Sequence, residues 1–378
     1  MVVIEWLLKR AAQHPRTVVV NAADGTRARL LCAAEIARRR WQSALSPGEA
    51  DLLVVCGAPN EEFAEAVRTV WDDLPSPRAR VDVPGDASQD LVVQSLDRAV
   101  AQLADGEAQW RDAASRAGRP KSPDARGSGT SHEGHDPHGM HSQRHDSHEG
   151  GRHGHHMGDP GGLAMAGRGP DRDGLSLDRL HVPLGPILPD WPCGLVVDTV
   201  LQGDVIQEAT VRWLGGGESF WTEPWDRAAA GRLVTRGEAE RRRAAAHLDS
   251  LSRLLSVAGW PTAACGARTL RDQLLAEASR AALTAPYERL ARQVRRSRTL
   301  RWMLRGVGSA RDGDAAARLE AWLTATRAAI ASIEEEAPLD VERPAGNLLN
   351  PELLVGAELA SARLIIASLD PAPAVAHA

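Results

Sequence analysis

The sequence predicts an α+β protein with an N-terminal α/β domain, a polar linker, and a C-terminal domain of β-strands followed by helices. Two short apolar runs, Arg16–Val20 and Asp51–Cys56, indicate buried strands, and helical periodicity follows the second run. Residues 113–162 contain almost no apolar side chains. Beyond them, two apolar stretches flank the turn sequence Gln202-Gly203-Asp204 and precede a long region with helical periodicity.

The composition is that of an ordinary globular protein. The chain has 378 residues, which is enough for two domains, with 43% hydrophobic and 25% charged residues. Its net charge of −5 provides no general attraction for nucleic acid. No apolar run approaches the roughly 20 residues that span a bilayer. We therefore expect a cytoplasmic protein with no transmembrane segment and no nucleic-acid partner.

The first domain is predicted over residues 1–112 as a small α/β unit. The strand at Asp51–Cys56 leads through Gly57-Ala58-Pro59 to Asn60, which is suited to cap a helix. Apolar side chains then recur at helical spacing and should face the sheet; they are Phe63, Val67, Val70 and Trp71. The sequence Leu74-Pro75 ends this helix, and a second helix is predicted from Gln89 to about Trp110.

Residues 113–162 are predicted to be a disordered linker, because they are rich in Gly, Ser, Pro, Asp and His and cannot bury enough apolar surface to fold. The linker carries the only concentrated set of metal ligands in the chain. Imidazole groups at close spacing in a flexible segment can bind Ni or Zn. The candidate ligands are His132, His135, His138, His141, His145, His148, His153, His155 and His156.

The second domain is predicted over residues 163–378. Leu195–Leu201 and Val205–Trp213 read as the strands of a hairpin in a small antiparallel sheet. Residues 226–336 read as a bundle of helices. A last helix is predicted to start at Pro351 with Asn350 as its cap. Its apolar face would contain Leu354, Ala357, Leu364 and Ile365.

Two further groups of residues allow more than one reading. Arginines are dense from Arg289 to Arg305, which indicates either a solvated helix face or a contact with an acidic partner or anionic lipid. Tryptophans recur in and after the hairpin, and we expect them to serve in core and interface packing rather than as a ligand cage; they are Trp191, Trp213, Trp221 and Trp225.

Two segments of the first domain resemble the small cluster-carrying subunit of bacterial complex I. They are residues 46–57, SPGEADLLVVCG, and residues 68–78, RTVWDDLPSPR, at the end of the predicted helix. The resemblance implies a flavodoxin-like fold for the first domain. It also implies a [4Fe–4S] cluster, which that family binds through four cysteines. Here only Cys32 stands at a cysteine position of the family, and Asp86 stands at another. We therefore expect no [4Fe–4S] cluster and no catalytic residue.

The C-terminal part resembles the large partner subunit of complex I and of group 4 [NiFe]-hydrogenases. The similar segments are Leu184–Pro189, Leu201–Val205 and Leu353–Pro371. The resemblance places Leu188 at the position of a quinone-site histidine. The CxxC motifs that hold nickel and iron in the hydrogenases are absent, because the four cysteines of the chain lie far apart in sequence.

The sequence therefore suggests a fused and degenerate pair of connecting subunits. We expect a non-catalytic accessory or assembly subunit of a complex I-like or hydrogenase-like complex. Its partners would be subunits of that assembly, and it could associate with the inner face of the membrane through them. Two alternatives stay open: a metal-handling protein that acts through its histidines, and an oxidoreductase subunit completed by a partner chain.

Overall fold

The computed structural model describes residues 6, 10–117, 168–170, 176–216, 220–340, 342–344 and 346–373. The fold is α+β, with one parallel and one antiparallel sheet, as the sequence predicts. We call residues 10–117 the N-terminal unit and the described residues from 168 onward the C-terminal unit. The predicted histidine ligands at 132–156 lie outside the described residues.

The N-terminal unit is a parallel sheet of four strands with helices on both faces. The strand order is β2-β1-β3-β4. Its elements are β1 (Arg16–Asn21), α1 (Thr26–Arg38), β2 (Gln42–Ser43), β3 (Leu52–Cys56), α2 (Glu61–Asp73), β4 (Ala79–Val83), α3 (Gln89–Ala104) and α4 (Gly106–Ala117).

Strand β3 is buried on both faces, which explains its continuous apolar sequence. Alternate side chains point to opposite sides of a strand. Leu52 and Val54 accordingly pack with α1 and α3, whereas Leu53 and Val55 pack with α2. The predictions for both central strands and for the Asn60 cap are confirmed, since Asn60 Oδ1 accepts a hydrogen bond from the N–H of Phe63 at 2.9 Å.

The C-terminal unit combines an antiparallel sheet of order β5-β6-β7-β8 with seven helices in its described part. Strands β7 and β8 form the predicted hairpin. The elements are β5 (Arg168–Pro170), β6 (Ser176–Leu184), β7 (Leu195–Gln202), β8 (Val205–Trp213), α5 (Glu223–Ala229), α6 (Arg236–Val257), α7 (Pro261–Leu275), α8 (Arg280–Arg296), α9 (Arg298–Leu304), α10 (Ala315–Ala331) and α11 (Leu359–Leu369).

Two apolar cores organise this unit. Helices α6 to α10 enclose one core around Leu248, Leu255 and Tyr287. The hairpin packs on α11 in the other. Trp191 and Trp213 belong to the second core and Trp221 packs against the first, which confirms the packing role predicted for them. No helix in the described ranges is both long and apolar enough to cross a membrane.

The single helix predicted from Gln89 to about Trp110 is wrong, because the chain divides at Asp105 into α3 and α4. The carboxylate of Asp105 accepts a hydrogen bond from the N–H of Ala108 at 3.1 Å and so caps a new helix. Helix α4 then continues to Ala117. Residues 113–117, which we expected to be part of the linker, are therefore helical.

The predicted start of the last helix is also wrong. Asn350 caps only a single 3₁₀ turn, Pro351–Leu353, and the α-helix begins at Leu359. The backbone between this turn and the helix, residues 354–358, instead forms hydrogen bonds with the hairpin. The N–H of Gly356 donates to the carbonyl of Ile206, and the N–H of Ile206 donates to the carbonyl of Ala357. This pairing with β8 ends the 3₁₀ turn.

His247 on α6 makes the stability of this unit depend on pH. Burial, together with the positive charge of Arg243, lowers the pKa of His247 to about 4. The neutral ring therefore favours the folded state. Its contribution is complete above the unfolded pKa of about 6.5 and is lost as pH falls toward 4.

We predict that the free energy of unfolding decreases by on the order of 2 kcal/mol between about pH 6.5 and pH 4. His247→Gln should remove most of this slope, measured by urea denaturation at several pH values. The matched control is His181→Gln, at an exposed position of β6. An unchanged slope in the His247 variant would contradict the assignment.

Candidate functional site

Three loops meet at the edge of the parallel sheet where β1, β3 and β4 end. They are residues 22–25, 57–60 and 84–88, and each leads directly into a helix. In open parallel sheets ligands bind at the carboxyl ends of the strands, where the strand order reverses. Here the order β2-β1-β3-β4 reverses between β1 and β3. The loop after β1 and the loop after β3 therefore form the expected binding edge.

Asp24 holds these loops together. Its Oδ1 accepts a hydrogen bond from the N–H of Ala58 at 2.8 Å. A Cβ atom at Gly57, which has a φ of +86°, would lie 2.3 Å from the same oxygen. A Cβ atom at Gly85 would lie 2.5 Å from the carbonyl oxygen of Asp24. The three loops thus approach one another at distances that exclude any side chain at these two glycines.

The helices that leave this edge differ in their capping. Asn60 caps α2, and Ser88 caps α3 by accepting a hydrogen bond from the N–H of Leu91 at 3.3 Å. Helix α1 follows Gly25 and has neither a side-chain cap nor an acidic residue in its first turn. The partial positive charge at its start is therefore not offset by a side chain of that turn.

The C-terminal unit forms the opposite wall of a cleft of about 1360 Å³. Gly215, just after β8, lies over Ala23, since a Cβ atom built on Gly215 would be 3.6 Å from the Cβ of Ala23. Helix α5 continues this wall. Charged side chains of both signs line the cleft: Asp24, Arg27, Asp82, Asp86, Glu223, Asp226, Arg227 and Arg232. The cleft suits a polar partner that presents both donors and acceptors.

Behind this cleft, one buried carboxylate joins the two units. Asp249 of α6 is 1% exposed. Its Oδ2 lies 2.8 Å from Nη2 of Arg29, which belongs to α1 of the other unit. Its Oδ1 lies 2.6 Å from Nη1 of Arg271 on α7. Arg253 approaches to 3.7 Å. Burial alone would raise the pKa of Asp249, but the three guanidinium groups outweigh it and hold that pKa well below its ordinary value.

The ion pairs continue to the end of the described chain. Arg253 Nη2 lies 2.6 Å from Oδ1 of Asp370, which also accepts a hydrogen bond from Ser250. Asp370 follows α11 in the left-handed conformation, with a φ of 46°. The same network therefore connects α1 of the N-terminal unit to α6 and to the residue after the last helix.

Cys193 adds a contact between the units. Its Sγ donates a hydrogen bond to the carbonyl oxygen of Asn21 at 2.9 Å. Burial raises the pKa of this thiol to about 11. The thiol is therefore protonated at neutral pH and contributes a hydrogen bond rather than a nucleophile.

The structure does not bring the three predicted vestigial positions together. Cys32 is fully buried on α1, and its Sγ lies 3.9 Å from Sγ of Cys56. The hydrogen bond with Cys32, and then burial, hold the pKa of Cys56 well above its ordinary value. Asp86 lines the cleft. Leu188 lies in the loop after β6, is 38% exposed, and does not line the cleft.

These positions do not fit a [4Fe–4S] cluster. Such a cluster needs four ligands, usually thiolates, around one space. The side chain of Cys32 packs in the core, and neither cysteine nor histidine is among the described residues that line the cleft. The part of the chain that the structure describes also contains no group of three or more His, Cys, Asp or Glu residues arranged for a metal ion.

The sequence interpretation missed the residues that build this site. Asp24 could have been noticed as an acidic residue before a glycine at the end of a predicted strand. Asp249 is a carboxylate between apolar positions of a helix, which signals a buried partner. Nothing in the sequence indicates Arg29, because it lies 220 residues away from Asp249.

No protein-family model matches this chain, and a comparison with curated proteins finds no significant match.

We predict that Asp249→Asn lowers the free energy of unfolding by about 3–5 kcal/mol, because it removes the buried carboxylate that three guanidinium groups share and leaves Arg29 without an ion-pair partner among the described residues. Urea denaturation of the purified protein measures this loss. Asp82→Asn is the control. It removes a surface ion pair with Arg80 and should change stability by less than about 1 kcal/mol. A variant at Asp249 as stable as this control would contradict the role of the network.

We also predict that Gly25→Ala destabilises the binding edge. A Cβ atom at Gly25 would lie 2.0 Å from the carbonyl oxygen of Cys56, so the loop after β1 must move. Thermal unfolding should show a loss of about 3 kcal/mol, the upper range for overpacking. Gly48→Ala is the matched control, because no atom lies within 4 Å of its added Cβ. Equal effects of the two substitutions would refute the close approach.

Proposed function

We propose that this protein is a non-catalytic accessory or assembly subunit of a complex I-like or hydrogenase-like complex, in which relatives of two connecting subunits are fused into one chain. The proposal starts from the sequence segments that resemble those two subunits. It requires that the two units act together and that the positions of redox ligands serve another purpose. The structure offers support for each requirement.

The observation that carries the proposal is the position of Cys32. A cluster ligand must present its thiolate to the cluster. The side chain of Cys32 instead packs in the apolar core between α1 and the sheet, beside Cys56. Asp86, at the other family position, faces the cleft without a thiol nearby. A position that serves packing supports a scaffold role rather than electron transfer.

Contacts between the units support a single connecting module. Val196 and Leu214 of the C-terminal unit share an apolar core with Phe63 and Val67 of α2. Arg212 of β8 forms an ion pair with Glu62 at the start of the same helix. Together with the Arg29–Asp249 pair, these contacts hold the two units against each other on two sides. A fused subunit that bridges partners needs such a fixed orientation.

The test is affinity purification of the tagged full-length chain from its own host in mild detergent, with mass spectrometry of the proteins that co-elute. We predict complex I-like or hydrogenase-like subunits in a fixed ratio to the chain. Iron and acid-labile sulfide in the separately purified protein should stay well below one per chain. Elution without such subunits, or a stoichiometric cluster in the isolated chain, would contradict the proposal.

Metal handling is the second candidate, and nine histidines within residues 132–156 favour it. A variant that lacks residues 131–157 separates the two functions. The accessory role predicts that this variant recovers the same partners as the full chain. Metal handling predicts that nickel or zinc binding, measured by calorimetry, disappears in the variant.

The third candidate, an oxidoreductase subunit completed by a partner chain, would use the open cleft, where ligands from a partner could meet Asp86. Iron and sulfide in the intact purified assembly test it. This candidate predicts that the assembly purified with the native chain contains a cluster. The assembly purified with the Asp86→Ala variant should lack that cluster.

A further inference from the structure

One segment of the C-terminal unit has a charge opposite to that of the whole chain. Residues 289–311 contain eight arginines and no aspartate or glutamate, although the net charge of the protein is −5. The arginine-rich composition of the chain explains the choice of arginine over lysine. It does not explain why acidic residues are absent from 23 consecutive positions.

The segment covers the second half of α8, all of α9 and the loop that follows. Arg295 pairs with Glu320 at 2.7 Å, and Arg301 donates to the carbonyl of Arg295 at 2.6 Å. The other six arginine side chains are exposed and have neither an ion pair nor a hydrogen bond within the described residues. They are Arg289, Arg292, Arg296, Arg298, Arg305 and Arg311.

Three of these unpaired side chains converge. Arg289, Arg292 and Arg296 follow one another at intervals of three and four residues, so they share one face of α8. With Trp260 and Ser297 they line a groove of about 520 Å³. Like charges this close repel one another unless an anion lies between them. A guanidinium group can bind two oxygens of one phosphate at the same time. A phosphate group in this groove would therefore be a suitable ligand for these arginines.

Trp302 supplies an apolar anchor on the same segment. It lies on α9 and is 79% exposed. Tryptophan rings are enriched at the headgroup level of membranes, where the ring is apolar and its N–H is polar. Arg298 lies one helical turn before Trp302 on α9, so the two side chains share one side of that helix. A basic side chain beside an exposed tryptophan matches the composition of surfaces that adhere to anionic bilayers.

We propose that the face formed by residues 289–311 binds the anionic surface of a phospholipid bilayer, with Arg289, Arg292 and Arg296 on lipid phosphates and Trp302 in the headgroup layer. A protein–protein interface of standard size buries roughly 800 Å² of surface on each partner. The centre of such an interface is apolar. Trp302 is the only large exposed apolar side chain in this segment. Adhesion to a membrane needs charge and a shallow anchor, and this face has both.

The test is co-sedimentation of the full-length protein with lipid vesicles at low salt. Vesicles of phosphatidylcholine with about one-third phosphatidylglycerol should bind the protein, and pure phosphatidylcholine vesicles should not. Arg289→Gln/Arg292→Gln/Arg296→Gln should weaken binding about tenfold or more. Trp302→Ser should weaken it several-fold. All four positions are exposed, so these variants should fold, which circular dichroism checks.

The matched control removes three positive charges from a different surface of the protein. Arg68→Gln/Arg98→Gln/Arg111→Gln changes three exposed arginines of the N-terminal unit and should leave vesicle binding within about twofold. Equal loss in the two triple variants, or equal binding to both vesicle types, would overturn the proposal. Tighter binding to soluble polyglutamate than to anionic vesicles would assign the face to an acidic protein and overturn it as well. Protein and vesicles suffice for this test, so its outcome does not depend on the accessory-subunit proposal.

Discussion

The most deeply buried polar contact between the two units is the carboxylate of Asp249, which is 1% exposed. Taking Asp249 out of water carries a desolvation penalty of several kcal/mol unless cations replace the lost hydration. Two guanidinium groups of its own unit, from Arg271 and Arg253, supply part of that replacement, and Arg29 of the N-terminal unit supplies the rest. Because both carboxylate oxygens are bound at under 3 Å, α1 has little freedom relative to α6. This contact holds α1, which begins directly after the first loop of the cleft, against α6.

The same interface holds helix α1 on two sides. Helix α1 carries both Cys32, which packs into the sheet, and Arg29, which crosses to Asp249. The apolar core and the buried ion pair together hold this helix in position. Under the accessory-subunit proposal, this packing and this ion pair would take the place of a cluster. The arginines on α8 and α9 do not contact Asp249 or Asp370, so this charged surface is separate from the network between the units.

Local signals predicted much of the fold. The continuous apolar run of β3, the Asn60 cap and the glycine turn of the hairpin each act over a few residues, and each appears where the sequence placed it. One error was local, because the Asp105 cap that divides α3 from α4 was not recognised. The other arose where a neighbour in space decided the outcome. Gly356 pairs with Ile206 and delays the last helix, and no pattern near residue 350 reveals that partner. The candidate site follows the same rule. The resemblance singled out Asp86 only as a vestigial cluster position, and its place in the cleft follows from the structure alone. The cleft and the ion pairs join residues that are far apart in the chain.

The ion pairs around Asp249 should hold the two units together even when the chain between them is cut. A protease site inserted between Ala117 and Arg168 allows the purified protein to be cut into its two units without altering either one. Size-exclusion chromatography of the cut protein then reports whether the fragments stay associated. The account predicts that they elute as one species and separate when Asp249→Asn is introduced. Separation of the fragments with the native Asp249 in place would contradict it.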